Sequence, residues 1–427
     1  MKRDKTWAIP RDLMYHKFRA YGFLKNLRFF DPFLILFFRE MGLSFFEIGT
    51  LFSIREIATN ILEIPTGIVA DAYGRRRAML ASFLSYLLSF SLFYLFPHFG
   101  IFALAMLLFA FGEAFRSGTH KALILEYLYI KGIENQKVEY YGHTRAASQF
   151  GSAIAALIAA ALVFHTGSYR IVFLASMVPY VLELFLMLSY PKELDGVLVG
   201  HEGGGMRRMT EQLRMTTVNS LRMLRKGPLL RGLLSSASFD AIFKSTKDYL
   251  QPVLQAQALA LPILLALSGD RRVAIVVGVL YFVIYLGTCY AASHAGMIQQ
   301  RVHSLTRAAN MIYVAGILLL LAAGIGMITR VYVVSIIGFL GLYLLQNARR
   351  PLLVGYLADL IPRQAMATGL SVESQLLTLI AAALAPLIGL VADRLGIGVS
   401  LVIVALLGAF LLPVTTIRGH ACNSQPE

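Results

Sequence analysis

Apolar runs of helical-span length recur along this chain, separated by short polar breaks. A membrane-crossing helix needs about 20 mostly apolar residues. That rule predicts twelve spans, at 20–40, 44–65, 78–96, 99–127, 141–165, 169–190, 231–253, 272–294, 306–328, 331–358, 366–391 and 396–416. The first and seventh carry enough polar residues to weaken their hydropathy signal. One long polar stretch, 191–230, divides the chain into six spans and six spans. The predicted organisation is a segment 1–19, a six-helix bundle 20–190, a central loop 191–230, a second bundle 231–417 and a tail 418–427. The fold class this pattern predicts is an all-α integral membrane protein of twelve transmembrane helices.

Composition agrees. The chain is 57% hydrophobic and 15% charged, with a mean hydropathy of +0.66; soluble domains run about 45–50% apolar and about 25% charged. The first twenty residues lack an apolar core, so no cleavable signal peptide is visible. Two cysteines, Cys289 and Cys422, give neither metal spacing nor a disulfide framework. The net charge of +15 sits in the breaks between spans rather than in a basic domain, which argues against nucleic acid. With the N-terminus inside, 25 of the 39 Lys and Arg residues fall in inner segments or toward inner span ends and 6 in outer loops or at outer span ends. That excess predicts cytoplasmic termini and a cytoplasmic central loop, in a multi-pass protein of the cytoplasmic (inner) membrane.

The two halves read as diverged repeats. RFFDPF, with Asp31, is echoed by ASFDAIF, with Asp240, 209 residues later. Gly49 and Gly67 in the second span are 18 apart, as are Gly278 and Gly296 in the eighth. Arg116 and Glu126 are ten apart in the fourth, as are Arg349 and Asp359 in the tenth. Related six-span halves suit a transporter built from repeats.

Between the second and third spans the chain reads GIVADAYGRRR. Gly67 and Gly74 would permit close helix approach and a turn with positive φ. Asp71 would pair with an arginine or cap a helix N-terminus, and Arg75, Arg76 and Arg77 would hold the loop inside. The spacing Gly-x-x-x-Asp-x-x-Gly-Arg-Arg resembles the signature between helices two and three of the major facilitator superfamily, and the six-plus-six layout extends that resemblance to the whole chain. The resemblance implies two pseudo-symmetric bundles of six helices. It also implies a cytoplasmic charge relay, which maps to Asp71, Arg75 and Glu126. Two departures stand out: Ala72 replaces a common basic residue, and Gln300 in GMIQQRVHS replaces the second-half counterpart of Asp71.

Charges within the spans supply the candidate chemistry. Each costs about 2.5–3.5 kcal/mol at a helix centre unless paired or hydrated. Lys25, Arg28 and Asp31, spaced three apart, would share one helix face, and Pro32 would kink the helix there. The fourth span has Glu113, Arg116, His120 and Lys121; the fifth has Arg145 and Gln149. The seventh has Asp240, Lys244, Lys247, Asp248 and Gln251 at helical spacing, and the tenth has Gln346, Asn347 and Arg350. The resemblance implies that helices one, four, seven and ten line a central cavity. Substrate-cavity candidates are therefore Arg28, Arg116, Arg145, Gln149, Lys244, Lys247, Asp248, Gln346 and Asn347. Asp31, Asp240 and Glu113 are the proton-coupling candidates. A static Asp31–Arg28 salt bridge and a self-compensated ion-pair ladder along the seventh span are the competing structural readings. Arg55 and Glu56, adjacent in the second span, are expected on different faces in interhelical pairs. Glu183 and Glu373 stand isolated.

Enzyme chemistry has no foothold: no Walker motif, HExxH or nucleophile elbow occurs, and HEGGG at 201–205 reads as a linker. The expectation is a monomeric secondary transporter with no cofactor, moving a small solute by alternating access and coupled to protons. The alternatives are a non-cycling sensor or scaffold and a flippase for an amphipathic lipid.

Overall fold

A computed structural model describes residues 11–195, 227–262, 265–293, 304–361 and 366–417. Of the sequence features above, Gly296, Gln300, most of the central loop and the tail lie outside these residues, as does the side chain of Asp71. Among the described residues the regular structure is entirely helical.

Every predicted span is occupied by helix. The helices are α1 Leu13–Leu24, α2 Leu34–Glu40, α3 Phe45–Tyr73, α4 Arg75–Leu95, α5 Phe99–Arg116, α6 Thr119–Ile130, α7 Lys137–Thr166 and α8 Ile171–Leu188. They continue as α9 Gly227–Thr246, α10 Leu250–Ala260, α11 Gly269–Ser293, α12 Leu305–Ile328, α13 Tyr332–Leu360, α14 Met366–Leu395 and α15 Ile397–Phe410. By length and apolarity alone, 7 of the described helical stretches qualify as membrane spans. Three spans are broken. The first is α1, an irregular stretch and α2; the fourth is α5 and α6, separated at Gly118 with φ +78°; the seventh is α9 and α10, joined by a 3-10 turn at Lys247–Tyr249. Broken backbone at membrane depth is tolerated where protein groups satisfy it.

The chain forms two compact units. One comprises the described residues up to Phe33, those from Ala58 to Asp195, and Val277–Leu286. In it α4 and α5 are joined by a serine stripe. Ser82, Ser85 and Ser89 donate to the carbonyls of Gly112, Leu108 and Ala105 at 2.7, 2.6 and 2.7 Å. With no hydrophobic driving force between helices in lipid, such bonds and small-residue packing hold them together. Gly278 of α11 sits directly on Ala160 of α7. An aromatic core of Phe30, Phe90, Phe93 and Phe173 fills one end.

The other unit comprises Leu34–Ile57, the described residues from Gly227 to Val276, and those from Gly287 onward. Its α3 segment runs along α14 on a stripe of small residues. A Cβ on Gly49 would stand 2.7 Å from the Ala385 carbonyl carbon and 2.8 Å from Pro386 Cα. Ser53 donates to the Ala382 carbonyl at 2.5 Å. At the start of α3 the Asp393 carboxylate accepts from the amides of Phe45 and Phe46, both at 2.8 Å. Those are free donors of a helix N-terminus, where an anion is favoured. Likewise the buried Gln251 accepts the Ile35 amide of α2 at 2.7 Å.

The two glycines of GIVADAYGRRR behave differently. Gly74 has φ +100° and starts α4. Its missing side chain leaves room for Asp195, whose carboxylate accepts the Arg76 amide at 2.8 Å. Gly67 lies inside α3, and a Cβ there would meet nothing within 4 Å among the described residues, so the expected close approach does not occur among them.

Candidate functional site

In the first unit the site grows from the break in the first span. The helix ends at Leu24, with Lys25 as its C-cap, and resumes as a 3-10 turn at Asp31–Phe33. Pro32 supplies no amide donor. The i, i+3 face expected for Lys25, Arg28 and Asp31 is therefore not formed: the backbone between them is not helical. Packing against α7 allows the break. A Cβ on Gly22 would meet the Thr144 carbonyl oxygen at 2.7 Å, and Gly151 lies against the Phe23 carbonyl.

Arg28, released from the helix, reaches α5 and pairs with Glu113. Arg116, one turn on, donates to both Glu113 oxygens, at 2.8 and 2.7 Å, and its Nε donates to Tyr86 Oη at 3.0 Å. One carboxylate thus faces two guanidiniums. The Arg28 ion pair goes to Glu113, not to Asp31 as the static alternative required; Asp31 lies within the field of Arg28. A proton can reach Glu113 only at the expense of one of these two pairs.

Beside them Tyr21 stacks on His120, with ring centroids 3.5 Å apart and 14° between planes. His120 Nε2 is 3.4 Å from Tyr190 Oη. The Lys25 ammonium stands 6.0 Å from the Tyr21 ring centroid. Glu183, the only charge in α8, is buried at 0% exposure. Neither of its oxygens has a hydrogen-bond partner among the described residues. Arg145 is exposed on α7 and Gln149 is half-buried there; neither belongs to this cluster.

At the end of this unit that carries the glycine–arginine turn, Arg75 Nη1 meets Glu126 Oε2 at 3.1 Å. Arg76 donates through Nη2 to the Leu188 carbonyl at 3.2 Å. Two members of the expected relay, Arg75 and Glu126, are thus in contact.

The second unit holds a separate set. The ladder expected along the seventh span forms only in its Lys247–Asp248 pair, because Asp240 and Lys244 find partners on other helices. Asp240 accepts from Gln346 Nε2 at 2.8 Å. Lys244 pairs with Glu56 at 2.5 Å, and Arg55 pairs with the same carboxylate at 3.0 Å. Arg55 and Glu56 therefore meet, rather than facing apart as expected. Lys247 pairs with its neighbour Asp248 at 2.6 Å, within the 3-10 turn that breaks the span. Asn347 donates back to the Tyr343 carbonyl of its own helix at 2.9 Å. Glu373 accepts from Ser236.

Arg349 is the largest fully buried side chain here, at 1% exposure. It donates to Ser235 O and Oγ at 3.1 and 2.9 Å and to Ala309 O at 3.3 Å. Its guanidinium lies 4.7 Å from the Phe239 ring and 5.2 Å from the Tyr313 ring. It knits α9, α12 and α13 together through carbonyls and aromatic faces rather than by a carboxylate. Its pseudo-equivalent Arg116 does the reverse. In the sequence Glu183 and Glu373 stand only as isolated acids, each a single charge in an otherwise apolar run. No group of residues able to hold a metal occurs among the described residues.

The family model for the Major Facilitator Superfamily matches residues 26–374. The uncharacterized MFS-type transporter YxaM of Bacillus subtilis (strain 168) is 31% identical over 104 residues, which cover 24% of this chain and 26% of that protein. The chain thus spans about a quarter of that relative's length. Two solved structures share the fold. The nucleoside transporter NupG superposes with a TM-score of 0.74 at 12% identity, covering 95% of this chain and 98% of that one. A POT family transporter in complex with 5-aminolevulinic acid gives 0.72 at 14% identity, covering 97% and 98%.

Proposed function

This chain belongs to the Major Facilitator Superfamily, and on that premise we propose that it carries a small solute across the cytoplasmic membrane by alternating access, driven by protons. The bundles 20–190 and 231–417 are the moving halves, with both termini cytoplasmic, in keeping with the bias of Lys and Arg toward the inner segments. The observation that carries the reading is the set of charges held inside the spans. Arg28, Glu113 and Arg116 form one cluster, and Asp240 with Gln346 forms another. Ionisable groups kept at membrane depth belong to substrate and ion pathways.

Of the three proton candidates, Asp240 has the geometry best suited to exchange. Its hydrogen-bond partner Gln346 is neutral, so a proton can come and go without breaking an ion pair. Glu113 is held by two guanidiniums. Arg75 and Glu126 act as part of a cytoplasmic latch, with Gly74 providing the turn and Asp195 closing the start of α4. The test is proton movement into proteoliposomes loaded with a pH-sensitive dye and challenged with pools of metabolites, anions, lipophilic cations and amphiphiles, alongside radiolabelled counterflow. A pool that moves protons with wild type but not with Asp240→Asn supports the reading. Counterflow that stays silent for every pool overturns it.

A further inference from the structure

Glu183 has no role in the site as described, yet it is the most exceptional ionisable group in the first unit. It is fully buried in the C-terminal half of the apolar helix α8, and neither oxygen is hydrogen-bonded among the described residues. A carboxylate so placed must be paired, neutralised or served by a ligand. The charged groups facing it are Arg116, Lys25 and Arg28 on the positive side and Glu113 on the negative, with Tyr21, Tyr180 and Tyr190 as the hydroxyls around it. His120 in turn faces Lys25 and Arg116. Arg116 is committed to Glu113 and Tyr86, and Arg28 to Glu113. Lys25 makes no ion pair among the described residues.

We infer that Glu183 is a proton-binding site, and that its proton switches the Lys25–Arg116 cluster into a form that takes an anionic solute. This rests on the transport reading above and assigns a substrate class to it. The cluster holds three cations, Lys25, Arg28 and Arg116. Three carboxylates, Glu113, Glu183 and the neighbouring Asp31, balance them when all are ionised. The cluster is then neutral overall. A proton on Glu183 leaves one positive charge uncompensated. Lys25 is the cation with no carboxylate of its own, so a monoanion is held there. Proton and anion therefore enter together and leave together, with no net charge moved at this cluster. A metal cation does not fit the same place. It needs several oxygen ligands and would stand beside three positive side chains, whereas a proton needs one oxygen and no further ligand.

The full-length protein in lipid nanodiscs gives an equilibrium test. Infrared spectra taken across a pH series read the carbonyl stretch of protonated carboxylic acids. Thermal unfolding with the choline salts of acetate, lactate or inorganic phosphate, and with sodium chloride against choline chloride as the cation control, reads binding. The expected result is an acid band that disappears on alkalinisation, is absent in Glu183→Gln and persists, displaced, in Glu183→Asp. At least one anion stabilises wild type more at acid pH, its apparent affinity falling about tenfold per pH unit for one coupled proton. Glu183→Gln, which resembles the protonated form, binds that anion equally at both pH extremes. Lys25→Gln loses anion binding and keeps the infrared band. An unchanged band in Glu183→Gln, stabilisation by sodium in place of anions, or no stabilisation by any of the three anions overturns the inference. Failure of the transport reading registers separately, as absent counterflow with these equilibrium signals intact.

Discussion

Gly49 and Gly67 lie on the same helix, α3, and the same substitution should act on them in opposite directions. A Cβ at Gly49 would lie 2.7 Å from the Ala385 carbonyl carbon and 2.8 Å from Pro386 Cα, and closer still to the Ala385 oxygen. All of these are backbone atoms, so no rotamer change relieves the clash. Restoring an ordinary separation of 3.4 Å from the carbonyl carbon requires α3 and α14 to part by about 0.7 Å at that point, and clearing the nearer oxygen requires more. Parting them would also stretch the Ser53–Ala382 bond, now 2.5 Å, and the two Asp393 bonds at 2.8 Å. Overpacking of this kind costs about 1–3 kcal/mol. At Gly67 nothing among the described residues lies within 4 Å of the added carbon. Alanine there should be neutral or stabilise by up to about 1 kcal/mol through helix propensity. The assay is thermal unfolding of the detergent-solubilised protein, followed by size-exclusion recovery after heating. Gly49→Ala should melt several degrees below wild type, and Gly67→Ala at or above it. Equal melting of the two variants would refute the reasoning, because both glycines would then be playing the same packing part.

Further outcomes follow from the ion pairs and the serine stripe. Ser82→Ala, Ser85→Ala and Ser89→Ala should each cost about 0.6 kcal/mol, the typical worth of an interhelical bond in a membrane, with the triple variant near their sum; thermal unfolding measures it. Arg75 and Glu126 retain 21% and 26% side-chain exposure, so a double-mutant cycle of Arg75→Gln and Glu126→Gln should give coupling of no more than about 1 kcal/mol, while each single variant slows counterflow at unchanged expression. Glu56→Gln strands Lys244 and removes the carboxylate that Arg55 shares with it, and should lower the melting temperature; adding Lys244→Met should recover part of the loss. Arg349→Lys should be nearly as damaging as Arg349→Met, since an ammonium cannot bridge the Ser235 and Ala309 carbonyls as the planar fork does; full stability of the lysine variant in unfolding assays would contradict this.

The pseudo-repeat shows where sequence reading succeeds and where it stops. Gly49 and Gly278 occupy corresponding places 229 residues apart. Each proves to be a close-contact glycine, Gly49 on Ala385 and Gly278 on Ala160. The spacing held because close helix packing demands a small residue at a fixed place on the helix. Gly67 stands in the same pattern and packs on nothing among the described residues, because pattern does not report what faces a residue. The charges teach the same lesson. Arg116 and Arg349 match in sequence, yet one serves a carboxylate and the other three backbone and hydroxyl oxygens. The ladder of Asp240, Lys244, Lys247 and Asp248 assumes an unbroken helix, and the 3-10 turn at Lys247–Tyr249 removes that premise.

What the sequence determined by itself was local and periodic. Apolar runs set the twelve helical segments, since a backbone in lipid must satisfy its own hydrogen bonds. Gly74 was legible as a positive-φ turn because other residues are strained there. Pairing was left to the tertiary structure. Asp195 reaches back 119 residues to the start of α4, Asp393 closes the start of α3 across 348, and Glu56 draws Lys244 from 188 away. A buried charge takes whichever counter-group the packing brings within about 3 Å. Neighbours in sequence carry little information about that. Glu183 is the limiting case. Its isolation in an apolar run was visible from the start, but only packing could reveal that it is fully enclosed among three cations and bonded to none of them.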